Sequence, residues 1–108
     1  MKFLITESQF DSILFQYLDN QDFIRIKKGN NIYFINSEDD EYAQIRYANT
    51  DGWCYIHYKL VEEISTFFSL GEFDSEKVIG RWVENTLQIM VTKTHSTKTP
   101  HIKLVENI

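Results

Sequence analysis

The 108-residue chain contains little proline, glycine or cysteine: it has one, four and one of them, respectively. Because proline and glycine are scarce and the aromatic content is 15%, a disordered tail or a low-complexity linker is excluded. The length is that of one domain, so we expect residues 1–108 to fold as a single unit. The lone Cys54 cannot form an internal disulfide, and Asn-x-Ser/Thr acceptors are absent, so we expect a cytoplasmic protein.

Long apolar runs are also absent. The opening residues 1–5 carry one basic residue and a short apolar stretch, but Thr6, Glu7 and Ser8 interrupt it well before the length of a signal peptide. No later run approaches the roughly 20 apolar residues that span a bilayer, so we expect a soluble protein without a membrane partner. The net charge of −5 argues against general phosphate binding, although a local basic patch can exist on an acidic protein.

Motifs for catalysis are missing as well. The chain has no glycine-rich phosphate loop, no Cys-x-x-Cys, no His-Glu-x-x-His and no Gly-x-Ser-x-Gly. Cys54 and His57 are the nearest approach to a nucleophile and a base, but residues three apart on a strand point to opposite faces. We therefore predict that Cys54 is a buried core residue and that the protein is not an enzyme and needs no cofactor.

Two groups of side chains have the chemistry of metal ligands. His95 and His101 flank a polar connection and would approach each other if the terminal strands pair, but two ligands do not complete a zinc site. The acidic run Glu38–Glu41 lacks the spaced Asp, Asn and Gly residues of a calcium loop and is typical of a solvated turn. We predict no metal site.

The strongest structural signal lies in residues 42–60, where two alternating runs flank Asp51-Gly52. Asp-Gly in this position favours a two-residue type I′ turn, because both central residues need positive φ. That turn would set Tyr47 opposite Ile56 and Arg46 opposite His57. One face is then predicted to be buried: Ala43, Ile45, Tyr47, Cys54, Ile56, Tyr58 and Leu60. The other face would carry aromatic and basic groups: Gln44, Arg46, Trp53, Tyr55, His57 and Lys59.

The residues before this hairpin predict a helix and another hairpin. Thr6–Gln9 has the form of a capping box, and a helix should follow and end near Asp19-Asn20. Its apolar residues fall on one stripe: Phe10, Ile13, Leu14, Tyr17 and Leu18. Two alternating runs then flank a turn at residues 29–31, and their apolar residues should share one face: Ile24, Ile26, Tyr33 and Ile35.

After Leu60 the apolar period changes to that of a helix, and we expect this second helix to close at Gly71. Asp74 or Ser75 should cap a third helix, in which Gly80 permits close packing. Residues 87–91 and 102–104 alternate again and predict a C-terminal strand pair. The fold class is therefore α+β: a central antiparallel sheet of two consecutive hairpins over residues 23–60, packed by three helices.

The first ten residues, MKFLITESQF, combine a basic residue, an apolar triplet, Thr-Glu-x-Gln and an aromatic residue. This opening resembles that of small uncharacterised proteins of tailed bacteriophages, and the segment RWVENTL at 81–87 is similar to helix ends in such proteins. The resemblance implies a viral protein of phage-like origin, located in the host cytoplasm or the virion. It implies no activity and no functional residue. A strand followed by a capping box would give much the same letters.

We expect binding at the predicted sheet face that carries both aromatic and basic side chains. The residues that we expect to bind are Arg46, Trp53, Tyr55, His57 and Lys59. Trp, Tyr and Arg are enriched at the anchoring positions of protein interfaces, which favours another protein or a second copy as the partner. The alternative is a single-stranded nucleic acid, whose bases stack on aromatic rings while cations hold its phosphates. Amphipathic helices could instead cover part of this face.

Overall fold

The computed structural model describes residues 7–36 and 43–97. These residues form three helices and five strands: α1 (Glu7–Asp19), β1 (Ile24–Lys28), β2 (Asn31–Ile35), β3 (Ile45–Ala48), β4 (Trp53–His57), α2 (Tyr58–Phe68), α3 (Glu72–Leu87) and β5 (Lys93–Thr97). The strands lie in one sheet in the order β1-β2-β3-β4-β5. The α+β class and the two consecutive hairpins are confirmed, but the sheet is mixed, because β5 runs parallel to β4.

The hairpin of β3 and β4 has a longer turn than the two-residue turn that the sequence predicted. Tyr47 lies opposite Cys54 and Arg46 lies opposite Tyr55, so residues 49–52 form a four-residue turn. The predicted register was therefore wrong by two residues. The assignment of side chains to faces is unchanged, because they alternate with a period of two.

Gly52 ends this turn with the positive φ that the sequence predicted, at +74°. Its N–H donates to the carbonyl of Ala48 at 2.8 Å, and its own carbonyl accepts the N–H of Thr92 at 2.7 Å. A Cβ at this position would lie 2.5 Å from Oγ1 of Thr92. Asp51 is exposed as expected, but Gly52 is buried because the segment before β5 packs over it.

Strand β4 ends earlier than predicted, at His57. The Nδ1 atom of His57 accepts the N–H of Lys59 at 3.2 Å and so caps the N-terminus of α2. Tyr58, Lys59 and Leu60 therefore belong to the helix, and the prediction that they continue the strand was wrong. The last residue of the helix is Phe68 and its C-cap is Ser69, which has a φ of +55°, so the helix does not close at Gly71 as predicted.

All three helices pack against one side of the sheet, which we call the helix-covered face. Phe34, Ile45 and Ile56 lie on it and are at most 1% exposed. The helices bury a matching apolar set: Leu14, Leu18, Leu60, Val61, Ile64, Val78, Ile79, Trp82 and Val83. The predicted stripe of the first helix holds for Leu14 and Leu18, whereas Ile13 is 50% exposed. None of the described helices is long and apolar enough to span a bilayer.

The other side of the sheet, the opposite face, has a smaller apolar cluster built from the first hairpin. Ile24 pairs with Ile35 and Ile26 pairs with Tyr33, so these four residues share a face as predicted. Tyr33 and Ile35 are buried and pack with Ala43. Ala43 is fully buried, as predicted. The prediction that it shares a face with Ile45 was wrong, because Ala43 packs in this second cluster.

Helix α3 and strand β5 complete the described chain. The helix begins after its cap residue Gly71, which lies three or four residues before the predicted caps at Asp74 or Ser75. It runs through Leu87, so the strand predicted over residues 87–91 was wrong in position, and β5 forms at 93–97. The predicted strand at 102–104 lies outside the described residues. Gly80 packs closely as predicted, because its added Cβ would lie 2.6 Å from Cγ2 of Thr94.

Candidate functional site

Five side chains form a group on the opposite face where β3, β4 and β5 lie side by side: Arg46, Trp53, Tyr55, Lys93 and His95. Strand pairing brings them together, because Tyr55 lies between Arg46 on one neighbour and His95 on the other, while Trp53 pairs with Lys93. Paired residues project to the same side of a sheet. We call this group the aromatic-basic cluster.

The rings of the cluster form one continuous surface. The centroid of His95 lies 5.0 Å from that of Trp53 and 5.9 Å from that of Tyr55, to which it is nearly parallel at 12°. The Trp53 and Tyr55 centroids are 6.1 Å apart. These distances lie in the range in which aromatic pairs attract each other. All three rings are half-buried, so each has area left to contact a partner.

Two cations lie over these rings. Cζ of Arg46 is 4.4 Å from the centroid of Tyr55, and Nζ of Lys93 is 5.2 Å from that of Trp53. Both distances fall within the range of a cation–π interaction. Nε of Arg46 is buried and has no hydrogen-bond acceptor within the described residues.

An acidic residue of α3 lies within electrostatic range of the cluster. Burial raises the pKa of the Glu76 carboxyl above its usual range, and the interaction with His95 partly opposes that rise. The exposed Asp51 sits in the turn before Trp53, where its Oδ1 accepts the N–H of Trp53 at 3.0 Å.

The structure brings together three of the five residues that the sequence singled out for binding, namely Arg46, Trp53 and Tyr55. His57 lies at the end of β4, where it caps α2 and stacks on Tyr58 with a centroid distance of 5.4 Å. Lys59 lies on α2, exposed and apart from the sheet surface. The structure therefore leaves His57 and Lys59 outside the aromatic-basic cluster.

Lys93 and His95 were missed by the sequence reading, which assigned His95 to a polar connection. Their alternation with Thr92, Thr94 and Ser96 was the available signal, because β-branched and polar residues alternate on exposed edge strands. The parallel pairing of β5 with β4 could not be read from this segment. This pairing depends on the path that the chain takes through α2 and α3 between the two strands.

The lone cysteine and the side chains that can bind metals were the other candidates for a site. Cys54 lies on the helix-covered face, where burial raises the pKa of its thiol to about 12, so it is not activated as a nucleophile. His57 is on the other side of the same strand, as the sequence predicted. Within residues 7–36 and 43–97 no three His, Cys, Asp or Glu side chains are placed to hold a metal. His101 and the acidic run at 38–41 lie outside the described residues.

The cluster thus offers three partly exposed rings and two cations on adjacent strands of a sheet. Comparison of the chain with protein-family models, characterised proteins and solved structures gave no match.

Proposed function

We propose that this chain is a small, non-enzymatic accessory protein that binds another protein through the aromatic-basic cluster. The observation that carries the proposal is the contact of Trp53 with His95, at 5.0 Å, beside the Arg46–Tyr55 pair. Trp, Tyr and Arg supply most of the residues that dominate binding energy at protein interfaces. Here they lie on strands, where neighbouring strands restrict their positions.

The charge of the cluster points to an acidic partner surface. Arg46 and Lys93 are positive, whereas the chain as a whole carries −5. A two-fold symmetric contact between two copies would set the same cations against each other, which is unfavourable. The partner is therefore a different protein, or a different surface of a second copy. On the resemblance of residues 1–10, we extend the proposal to a protein of phage-like origin.

Single-stranded nucleic acid is the second candidate, and the proximity of aromatic rings and cations on a sheet favours it. Two observations weigh against it. Arg46 already covers one face of the Tyr55 ring, which reduces the area on which a base could stack. The net charge of −5 also repels an approaching polyanion.

Capture from the lysate of the native host tests the proposal. The affinity-tagged chain is compared with Trp53→Ala and with Phe67→Ala, a matched loss of an aromatic ring that is 66% exposed on α2 and lies outside the cluster. We expect a protein that survives nuclease treatment, is lost with Trp53→Ala and is retained with Phe67→Ala. Equal capture by both variants, or capture that nuclease abolishes, would reject protein binding through the cluster.

The nucleic-acid alternative has its own test, a titration of a labelled single-stranded oligonucleotide at low salt. Binding through phosphates would weaken steeply with added salt, and the loss of one contact in Arg46→Ala or Lys93→Ala would flatten the salt slope by about 0.7. We expect no binding at high micromolar protein. Micromolar binding with that salt response would favour the second candidate.

A further inference from the structure

A cleft with a volume of about 390 Å³ lies between α3 and the segment that leads into β5. One wall comes from α3 and includes Phe73, Lys77 and Gly80, and the other includes Val91, Thr92 and Thr94. We call it the α3–β5 cleft. Its volume falls within the range of about 300–1,000 Å³ that is usual for small-molecule sites.

The walls of the cleft are held in place by contacts of their own. Gly80 brings α3 against β5, since any Cβ there would lie 2.6 Å from Cγ2 of Thr94. Glu84 of α3 accepts the main-chain N–H of Val91 at 2.8 Å and ties the facing segment to the helix. The cleft is therefore part of the folded structure and does not need a ligand to form it.

The lining of the cleft is positive although the protein is acidic. The cations Lys77, Arg81 and Lys93 face the carboxylates of Glu84 and of Asp11, which pairs with Arg81, so the formal charge is 3 − 2 = +1 in a chain of −5. The Glu84 carboxylate is engaged by the N–H of Val91. Arg81 is fixed by Asp11, with nitrogen–oxygen distances of 2.7 and 2.8 Å. An anion entering the cleft would therefore meet a positive surface.

Apolar area adjoins these charges. Phe73 is 67% exposed, and Nζ of Lys77 lies 4.4 Å from its ring centroid, so ring and ammonium group are presented together. Gly80 and Val91 also line the cleft and add apolar surface to it. We propose that the α3–β5 cleft binds a small organic anion, whose apolar or aromatic body packs on Phe73, Gly80 and Val91 and whose anionic group is held by Lys77.

This site is independent of the proposed protein interface. Lys93 borders both surfaces, because its ammonium group lies 5.2 Å from the Trp53 centroid. Lys77 and Phe73 belong to the cleft alone among the described contacts of the two sites, so they are the positions to change. Failure of one proposal leaves the other standing.

The chain supplies a matched control on α2. There Lys59 and the 66% exposed Phe67 line another shallow depression together with Glu62, Glu63 and Thr66. The control therefore has the same pairing of a lysine with an exposed phenylalanine. Its formal charge is opposite, at 1 − 2 = −1.

The test is a titration of the full chain with 8-anilinonaphthalene-1-sulfonate, an aromatic anion that fluoresces when it leaves water. We expect saturable one-to-one binding that weakens by at least about fivefold in Lys77→Ala and in Phe73→Ala. Lys59→Ala and Phe67→Ala should leave the affinity within twofold. Main-chain amide shifts in the NMR spectrum should move at residues 77–81 and 91–94.

Several results would overturn the proposal: no saturable binding, equal weakening by the α2 control variants, or amide shifts centred on the aromatic-basic cluster. Binding of the uncharged analogue N-phenyl-1-naphthylamine with equal affinity would remove the requirement for an anion. Displacement of the dye by an acidic, phenylalanine-containing peptide but not by a free aromatic carboxylate would assign the cleft to a protein segment.

Discussion

The two faces of the sheet differ in what their side chains contact. On the helix-covered face, Ile45, Cys54 and Ile56 are completely buried against three helices. On the opposite face, neighbouring positions of the same strands carry Arg46, Trp53 and Tyr55, which are only half-buried. Among the described side chains, the apolar cluster of that face includes none from the three helices. The helix-covered side of β3 and β4 is therefore the more fully packed of the two.

The difference should appear most strongly in the reactivity of the lone thiol. Cys54 is inaccessible in the native state, so a thiol reagent should modify it at least about a thousandfold more slowly than in the unfolded chain. Lys93→Cys in a Cys54→Ser background places the thiol at an exposed position of β5 and should react quickly. The measurement is the rate of modification by a chromogenic disulfide. Equal native rates at the two positions would contradict the contrast between the faces.

The same burial should make the free energy of unfolding fall at alkaline pH. Burial raises the pKa of the Cys54 thiol from its ordinary value of 9.0 to about 12, so the folded state favours the neutral thiol. This contribution is complete below pH 9 and is lost as the pH rises from about 9 towards 12. Cys54→Ala should therefore show a smaller fall in the free energy of unfolding over that range. Parallel curves for the variant and the wild type would exclude the effect.

A matched pair of isoleucines compares the two faces by their contribution to stability. Ile56→Ala removes a side chain that is 0% exposed and should lower the free energy of unfolding by about 2–5 kcal/mol. Ile26→Ala on the opposite face removes a half-buried one and should cost about 1 kcal/mol. Denaturant unfolding measures both. Equal losses would show that the opposite face is packed as fully as the helix-covered face.

Substitutions at two glycines should distinguish the energetic cost of backbone strain from that of a packing clash. Gly29 and Gly52 have φ values of +59° and +74°, but an added Cβ has open space at Gly29 and meets Thr92 at Gly52. Gly29→Ala should cost about 1 kcal/mol for the left-handed backbone alone. Gly52→Ala should cost roughly 1–3 kcal/mol more because of the clash. Equal losses in thermal unfolding would show that Thr92 moves aside freely.

The sequence predicted the hairpins well because alternation and turn residues act locally. The faces of Ile45, Cys54 and Ile56 followed from a period of two, and they survived an error of two residues in the turn. The end of β4 could not be predicted, because Tyr58 and Leu60 continue the alternation while His57 caps a helix. The alternation there favours a longer strand, whereas the cap at His57 favours a helix, and the chain forms the helix.

The candidate site was predicted in part for the same reason. Arg46, Trp53 and Tyr55 lie on one hairpin, so their shared face followed from the local sequence. Lys93 and His95 join them through a parallel pairing that spans two helices, and no local pattern encodes such a contact. The α3–β5 cleft depends on the same long-range packing.

The most direct test of the central claim is the affinity of the captured partner for three proteins, the wild type, Trp53→Ala and Lys93→Ala, each at low and at raised salt. If an aromatic anchor on the opposite face dominates binding, Trp53→Ala should weaken it by on the order of 2 kcal/mol, about thirtyfold. Lys93→Ala should change it only a few-fold, with a weak response to salt. A small effect of Trp53→Ala, together with a large effect of Lys93→Ala and a steep loss with salt, would contradict the account.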